Sequence, residues 1–567
     1  MSVGRFMTLG LLLLTAGVCA SAQGPPTPSG NQIQQEETCS VSGMVVRRED
    51  GVPVKGALVQ LSNPGEKDRE QHTIAVQSKS DGRFELKNVP AGKYRLSAWR
   101  NGYFEMQYGQ KKPSDPGASF TLVAGQRMTD LVFKLGRAGV ITGHVVDEDG
   151  EAMPDVMVAA MRVAYEKGHK ELKPRAFNQS NDLGEFRLHG LPPGRYFISA
   201  QMQSWNHVVG DREFSGEDKT VAEKAYTKMY YPGYTEAGKA AAITVKEGEE
   251  IRGIDFLMKE VIVYRIRGKV INQVTKGGVR NGMIQVLPRN QRNYWMSYGT
   301  NDMLKPGGSF DIAEVPPGEY TVVALLFDEG KNYMTQQDVD VAAADIDGLS
   351  LIVGPGLTIA GKVVWDGQPS LSKEEFGVRL APEGVDFWGD GDSRVEENNQ
   401  FTLKDVADGV FRVNVSGLGK DCYVKEVRYG ENTSTDTLLR VAKGSTGALE
   451  ITISSRGARV EGTVLTEDNL PAAGVWVVAV PEENKRQFER LYKSERTDQN
   501  GAFSLHGLAP GKYKLFSWTE VEEGAWEDPD FLKPFEEKGE TVEVQEGGAQ
   551  TLQLKLMQTK DNSSKPE

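Results

Sequence analysis

The chain has 567 residues, including 63 glycines but only three cysteines, and a formal net charge of −13. That length exceeds what one hydrophobic core serves, so several domains are expected. Charges of both signs are interspersed within the acidic balance, which indicates a soluble protein and argues against binding to nucleic acid or an anionic membrane.

At the N-terminus, Arg5, the apolar run 6–18 and the small-x-small site Ala20-Ser21-Ala22 read as a secretory signal over 1–22, with the mature chain starting at Gln23. No later stretch approaches the roughly 18 apolar residues of a membrane span. The polar, proline-rich segment 23–38 reads as a linker. The mature chain keeps Cys39 and Cys422, which fall in different repeats, so each domain must stand on its own core without disulfides.

From residue 39 onward two phrases alternate. The first opens each repeat as aliphatic-x-Gly-x-aliphatic-aliphatic, at 41–46, 141–146, 266–271, 359–364 and 460–465, with Gly43, Gly143, Gly268, Gly361 and Gly462 at its centre. The second begins at Phe84, Phe186, Phe310, Phe401 and Phe503. A glycine follows eight residues later (Gly92, Gly194, Gly318, Gly409, Gly511) and an aromatic ten later (Tyr94, Tyr196, Tyr320, Phe411, Tyr513). From opening glycine to Phe the spacing is 41, 43, 42, 40 and 41 residues; from Phe to the next opening glycine it is 59, 82, 51 and 61. The first half of each repeat is a fixed frame, and insertions collect in the second.

Phe-x-Leu places two apolar side chains on one strand face, a Pro- or Ala-rich segment with glycine turns the chain, and Tyr-x-Leu resumes the alternation. The phrase therefore predicts a hairpin, with Phe and Tyr as core residues and Gly as the turn. On that basis replacing Gly194 is expected to unfold the second repeat, while trimming 203–231 leaves it folded. A further strand lies between the phrases, as in 53–61 and 471–478. Each repeat closes with an alternating pair around Gly125, Gly248 or Gly547 in the clearest cases. About seven short strands per repeat suit a β-sandwich. The expected boundaries are 39–136, 137–260 with an insertion at 201–235, 261–354, 355–455 and 456–557, followed by a disordered tail at 558–567. Short helices over 217–229 and 483–492 are expected to cover open sheet edges.

The Gly-x-Val-Val opening, the Pro-x-x-Gly-Ala-x-Val strand, and Asp81-Gly82-Arg83-Phe84 running into Pro90-Ala91-Gly92-Lys93-Tyr94 resemble carboxypeptidase regulatory-like domains. These are transthyretin-like sandwiches grouped with collagen-adhesin B-type repeats. Tyr230-Tyr231-Pro232-Gly233, followed by Ile243-Thr244-Val245, is similar to secreted multi-repeat proteins of acidobacteria. The resemblance implies an all-β chain of five tandem, seven-stranded, prealbumin-like (transthyretin-like) β-sandwiches with short helical insertions. At superfamily level it implies a carbohydrate-binding-like fold. It also raises a Lys–Asn isopeptide bond from Lys269 or Lys362, but a facing strand such as 349–353 offers no asparagine.

Catalytic patterns do not emerge. The six histidines (His72, His144, His169, His189, His207, His506) lack zinc-ligand spacing. His189 and His506 occupy matching, outward-facing positions. No phosphate-cradling glycine loop and no nucleophile elbow is present. Asp147-Glu148-Asp149-Gly150 reads as an exposed turn in preference to a calcium loop. The expectation is an exported, non-catalytic protein without cofactor or metal, in the periplasm, on the outer-membrane surface or outside the cell. It would act as scaffold, spacer or adhesive surface towards a cell-envelope protein or polysaccharide. The alternatives are a carbohydrate-binding protein and an accessory module of a separate peptidase. For sugar contact the candidates are aromatics outside the repeated positions: Trp99, Tyr103, Tyr108, Trp205, Tyr230, Tyr231, Tyr234, Trp295, Trp388, Trp518 and Trp526. Exposed rings suit the apolar face of a sugar; the competing role is to cover sheet edges or pack between repeats.

Overall fold

The computed structural model describes residues 38–559 apart from 63–72, 111–112, 114–116, 167, 203–222, 275–278, 280, 290–300, 329–330, 373–374, 383–391, 431, 435–436, 443, 445–446 and 520. The expected signal, nearly all of the linker, and Trp205, Trp295 and Trp388 lie outside the described residues. The first repeat comprises β1 (Cys39–Arg47), β2 (Leu58–Ser62), β3 (Ile74–Gln77), β4 (Arg83–Val89), β5 (Gly92–Trp99), β6 (Met106–Gln107), β7 (Ser119–Leu122) and β8 (Arg127–Leu135). One sheet has the order β4-β1-β8, with β1 and β8 parallel; the other has β3-β2-β5, with β6 and β7 both pairing β5. The same plan returns in the fifth repeat. There Ala502–Leu508, Ala458–Leu465 and Ala549–Lys555 form the smaller sheet, and Lys493–Arg496, Trp476–Pro481, Gly511–Trp518 and Glu540–Val544 the larger. The fourth repeat widens its smaller sheet to five strands by adding Tyr423–Tyr429 and Asn432–Ser434 beside Leu449–Ser454. Each pair of sheets encloses its own apolar cluster.

The repeated phrase is not a hairpin. Its two strands belong to opposite sheets in all five copies, so the phrase is an arch across the sandwich. Three contacts explain why. First, the strand that carries the Phe contains a bulge: Cys39 pairs with Val89 but Val41 with Leu86, and the same slip recurs against the opening strand of every repeat. The bulged residues Asn88, Gly190, Glu314, Asp405 and Gly507 are left-handed, with φ of 56–78°. Such a bulge bends the strand and increases its twist, which carries the chain out of the sheet. Second, the tyrosine hydroxyl donates back to the carbonyl four residues earlier: Tyr94 to Pro90 (3.0 Å), Tyr196 to Pro192 (2.7 Å), Tyr320 to Pro316 (2.9 Å) and Tyr513 to Ala509 (2.9 Å). This satisfies a carbonyl at the arch that no strand can reach. Phe411 lacks the hydroxyl, and the fourth repeat forgoes this bond.

Third, the Phe stands opposite the opening glycine as a cross-strand pair in every repeat, from Gly43–Phe84 to Gly462–Phe503. A Cβ at Gly268 would come within 2.5 Å of the Phe310 ring. At Gly143 it would overlap the Ile254 carbonyl oxygen and lie 3.0 Å from the Phe186 ring. The ring fills the space that glycine leaves, and no side chain could share it. All five Phe residues are at most 5% exposed.

The predicted helices are mostly absent. Of 217–229, the described part is extended and contains strand Lys224–Tyr226. In 483–492 there are two short 3-10 turns, Glu483–Lys485 and Glu489–Leu491. Among the described residues, α-helix is confined to Pro529–Leu532, started by Asp528, whose carboxylate accepts from the Asp530 amide at 2.8 Å.

Candidate functional site

The aromatics chosen from sequence divide by burial. Trp99 and Tyr234 are exposed, at 41% and 46%. Tyr103 and Tyr108 are half-buried against the first core, Tyr108 edge-on to Phe120 at 5.2 Å. Tyr231 packs edge-on against Phe256 at 6.2 Å. Tyr230, Trp518 and Trp526 are buried and cannot offer an open ring face to a sugar. Met229 and Tyr230 are both core residues, so a deletion running to 231 would cut into the fold instead of only trimming a loop.

Trp518 and Trp526 are buried because the long second half of the fifth repeat folds back over the outer face of its larger sheet. Trp518 stacks on Phe516 at 5.2 Å and meets Phe531 and Phe535 edge-on at 5.5 and 5.7 Å. Trp526 packs edge-on against Trp476 at 5.1 Å, and the Arg496 guanidinium lies over Trp476 at 4.5 Å. The sheet thus has a second apolar cluster on the face opposite its core. Glu536 ties this layer down through Arg486 and through Lys514 at 3.1 Å. Burial pushes the Glu536 carboxyl up, but hydrogen bonds from Arg486 and Lys514 outweigh it and hold the group below the usual range.

The same layer receives the second repeat. Strands Val156–Glu166 and His169–Gln179 form a long hairpin that reaches the fifth repeat. Near its tip Tyr165 meets Phe531 edge-on at 6.3 Å, and Lys170 pairs with Asp528 at 3.6 Å, both charges largely buried. Arg162 and Arg175 approach Glu522 at 3.9 and 3.7 Å. Beside these contacts lies a cleft of about 500 Å³ lined by residues of both repeats, among them Tyr165, Arg175, Tyr492, Glu523 and Trp526. The Tyr492 hydroxyl is buried without a hydrogen-bond partner, and burial pushes its phenol up.

The fourth and fifth repeats are joined by polar contacts. The Glu546 carboxylate accepts from Ser454 at 2.7 Å and Tyr423 at 3.2 Å, and faces Arg456 at 3.3 Å and Lys425 at 3.8 Å. Hydrogen bonding from Ser454, helped by the Lys425 and Arg456 charges, holds the Glu546 carboxyl below its usual range. Nearby, His506 Nδ1 lies 2.8 Å from Asp421 and Nε2 lies 2.9 Å from Ser504 Oγ. The row has the residue types of a nucleophile, base and orienting acid, but Ser504 also donates to Glu461 at 2.9 Å. With its single proton committed there, Ser504 accepts from imidazole Nε2, which then has no lone pair facing Ser504 to act as its base. The row is a junction contact. His506 was expected to face outward, as the exposed His189 does; instead it is half-buried against Asp421 of the preceding repeat, which no pattern within one repeat reveals.

Elsewhere, Asp147 Oδ1 accepts from the amides of Asp149 and Glu151 at 3.0 and 2.8 Å, the exposed turn that the sequence indicates. Lys362 pairs with Glu450 at 2.6 Å. Cys39 and Cys422 are both buried and free. Lys228 is buried beside the Tyr230 ring, and desolvation pushes its ammonium down to about 8. No group of three or more His, Cys, Asp or Glu side chains able to hold a metal occurs among the described residues. No described helix is long and apolar enough to cross a membrane.

Residues 40–136 match the model of the carboxypeptidase regulatory-like domain, so the first repeat is a domain of that type. No curated protein matches the chain. Among solved structures, the Bacillus anthracis TIE protein is 16% identical over 56% of this chain and 50% of its own, with a TM-score of 0.15. GBS52, the minor pilin of Streptococcus agalactiae, is 14% identical over 40% of this chain and 97% of its own, with a TM-score of 0.21. BcpA, the major pilin subunit of Bacillus cereus, is 10% identical over 56% of this chain and 99% of its own, with a TM-score of 0.14. Likenesses this shallow decide nothing about assembly or binding.

Proposed function

We propose that the chain is a non-catalytic, exported scaffold of five β-sandwich domains that presents a semi-rigid surface at the cell envelope, with the domain boundaries read from its repeats. The observation that carries this reading is how the repeats are joined. The most repetitive residues serve core and arch, and the variable second halves are spent on contacts between repeats, as in the Trp518–Trp526 layer that receives the hairpin of the second repeat. Side chains held this way brace a shape. A carboxypeptidase regulatory-like domain in the first repeat is a non-catalytic domain type and supports the same view.

Antibody labelling of intact cells, with and without permeabilisation, tests the location; labelling that requires permeabilisation of the inner membrane sinks the envelope role. A peptidase panel with added zinc tests the absence of catalysis. Hydrolysis that a chelator abolishes would overturn it.

A further inference from the structure

Strand β8 lies at one edge of the smaller sheet of the first repeat, parallel to β1, and among the described residues no strand pairs its other side. The Leu135 carbonyl accepts from the Arg48 amide on the β1 side. By alternation, Val132 and Lys134 turn their amides and carbonyls to the open side. The far end is closed where the Phe104 amide donates to the Gly136 carbonyl at 3.2 Å. Along the open stretch a cavity of about 390 Å³ separates β8 from the neighbouring edge of the larger sheet, lined by Arg48, Tyr108, Leu131, Val132 and Lys134 among others. Val132 is 58% exposed, and its cross-strand partner Met44 is half-buried. Natural sheets guard an open edge with charge, proline or a covering element. Here it carries an aliphatic side chain, where the fifth repeat has the exposed Gln553.

The fourth repeat covers the equivalent edge with a strand of its own: Tyr423–Tyr429 runs antiparallel along Leu449–Ser454. Matching the two closing strands through their opening glycines, Gly43 opposite Leu131 and Gly361 opposite Leu449, puts Glu450 at the place of Val132 and Thr452 at that of Lys134. The seated strand sets Glu426 opposite Thr452 and Arg428 opposite Glu450, with which Arg428 forms an ion pair. Between them Val427 turns into the core, 2% exposed. No described strand takes this place in the first repeat, and the cavity lies there instead. A segment seated on β8 would keep the inward aliphatic residue of Val427, keep the carboxylate of Glu426 opposite Lys134, and need an apolar side chain opposite Val132 in place of Arg428. We propose that the open edge of β8 binds an extended segment of a partner polypeptide with the pattern acidic, aliphatic, aliphatic, added antiparallel as a fourth strand of the smaller sheet. Binding of this kind is read in vitro and stands apart from location at the cell envelope.

The test is isothermal titration of the full mature chain with a capped synthetic peptide of residues 425–431 carrying Arg428→Val. Two further peptides accompany it: the same one N-methylated at positions 426 and 428, whose amides would face β8, and its Glu426→Lys form. Two protein variants complete the set. Val132→Pro removes an outward amide that β1 does not use, a change that edge strands tolerate; Lys134→Glu reverses the charge at the edge. The expected result is saturable binding of the first peptide, weakened about tenfold or more by N-methylation and by Val132→Pro. Lys134→Glu should invert the preference between the first peptide and its Glu426→Lys form. If the first peptide does not bind saturably at millimolar concentration, or the N-methylated peptide binds the native chain equally well, the proposal is overturned. Dimerisation that Val132→Pro abolishes, without peptide binding, overturns it in favour of a second copy on the edge.

Discussion

The glycine that the second repeat cannot lose is Gly143, although the sequence draws attention to Gly194. A Cβ at Gly143 overlaps the carbonyl oxygen of Ile254 and presses on the Phe186 ring at 3.0 Å. Neither neighbour can yield cheaply. Ile254 is held by its own amide, which donates to Thr142 at 3.2 Å, and Phe186 is 3% exposed in the core. Overpacking of this kind costs about 1–3 kcal/mol, and loss of the Ile254 hydrogen bond adds about 1 kcal/mol. Gly143→Ala should therefore destabilise the repeat by about 3 kcal/mol. At Gly194 the new Cβ would lie 3.2 Å from the Arg162 guanidinium carbon, at the far end of a flexible side chain, so the space is available, but φ is 155°, a conformation that L side chains rarely adopt. Gly194→Ala should cost about 1–2 kcal/mol of backbone strain, less than the clash at Gly143. The chain has several cores, so one global melt is a poor measure. Hydrogen exchange of peptides spanning 139–146 and 185–191 in the full chain reads this repeat directly. Gly143→Ala should speed exchange there about a hundredfold, Gly194→Ala about tenfold. Equal acceleration by the two variants would refute the cross-strand Gly–Phe account.

Three further outcomes follow from the same contacts. Trp518→Ala should cost about 3–5 kcal/mol and detach the layer over the fifth repeat; limited proteolysis should then cut within 521–538, and continued protection would contradict the packing described. Lys228 drops from its ordinary 10.5 to about 8 when folded. The unfolded chain therefore binds more protons between those values, stability rises with pH across that window, and at neutral pH the buried amine costs about 3 kcal/mol. Lys228→Met should raise the calorimetric transition of the second repeat and remove its alkaline dependence. Glu546 is held below its usual range, so its contribution is present at neutral pH and is lost as pH falls through the acid range below about 4. The Gly547 amide, which donates to the Arg456 carbonyl at the start of the fifth repeat at 2.5 Å, should lose exchange protection in acid in the native chain but not in Glu546→Gln.

What the sequence determined by itself was the strand content, the frame of each repeat, and which Phe, Tyr and aliphatic side chains turn inward. Those follow from period-two alternation and from repetition, both of which are local. It also marked the aromatics of the second halves as worth attention. Whether the Phe strand and the Tyr strand pair or part was decided elsewhere. Parting depends on a left-handed bulge that Asn88, Gly190, Glu314, Asp405 and Gly507 all adopt. No common side chain marks that position, because the neighbouring strands impose its backbone conformation. Trp518 and Trp526 look like loop aromatics in one dimension and are interior in three, since the segment carrying them folds back onto its own sheet. The Asp421–His506 contact and the cleft beside Tyr492 have the same origin. Each is assembled from two repeats, adjacent ones for Asp421–His506 and distant ones for the cleft, and only tertiary packing brings the halves together.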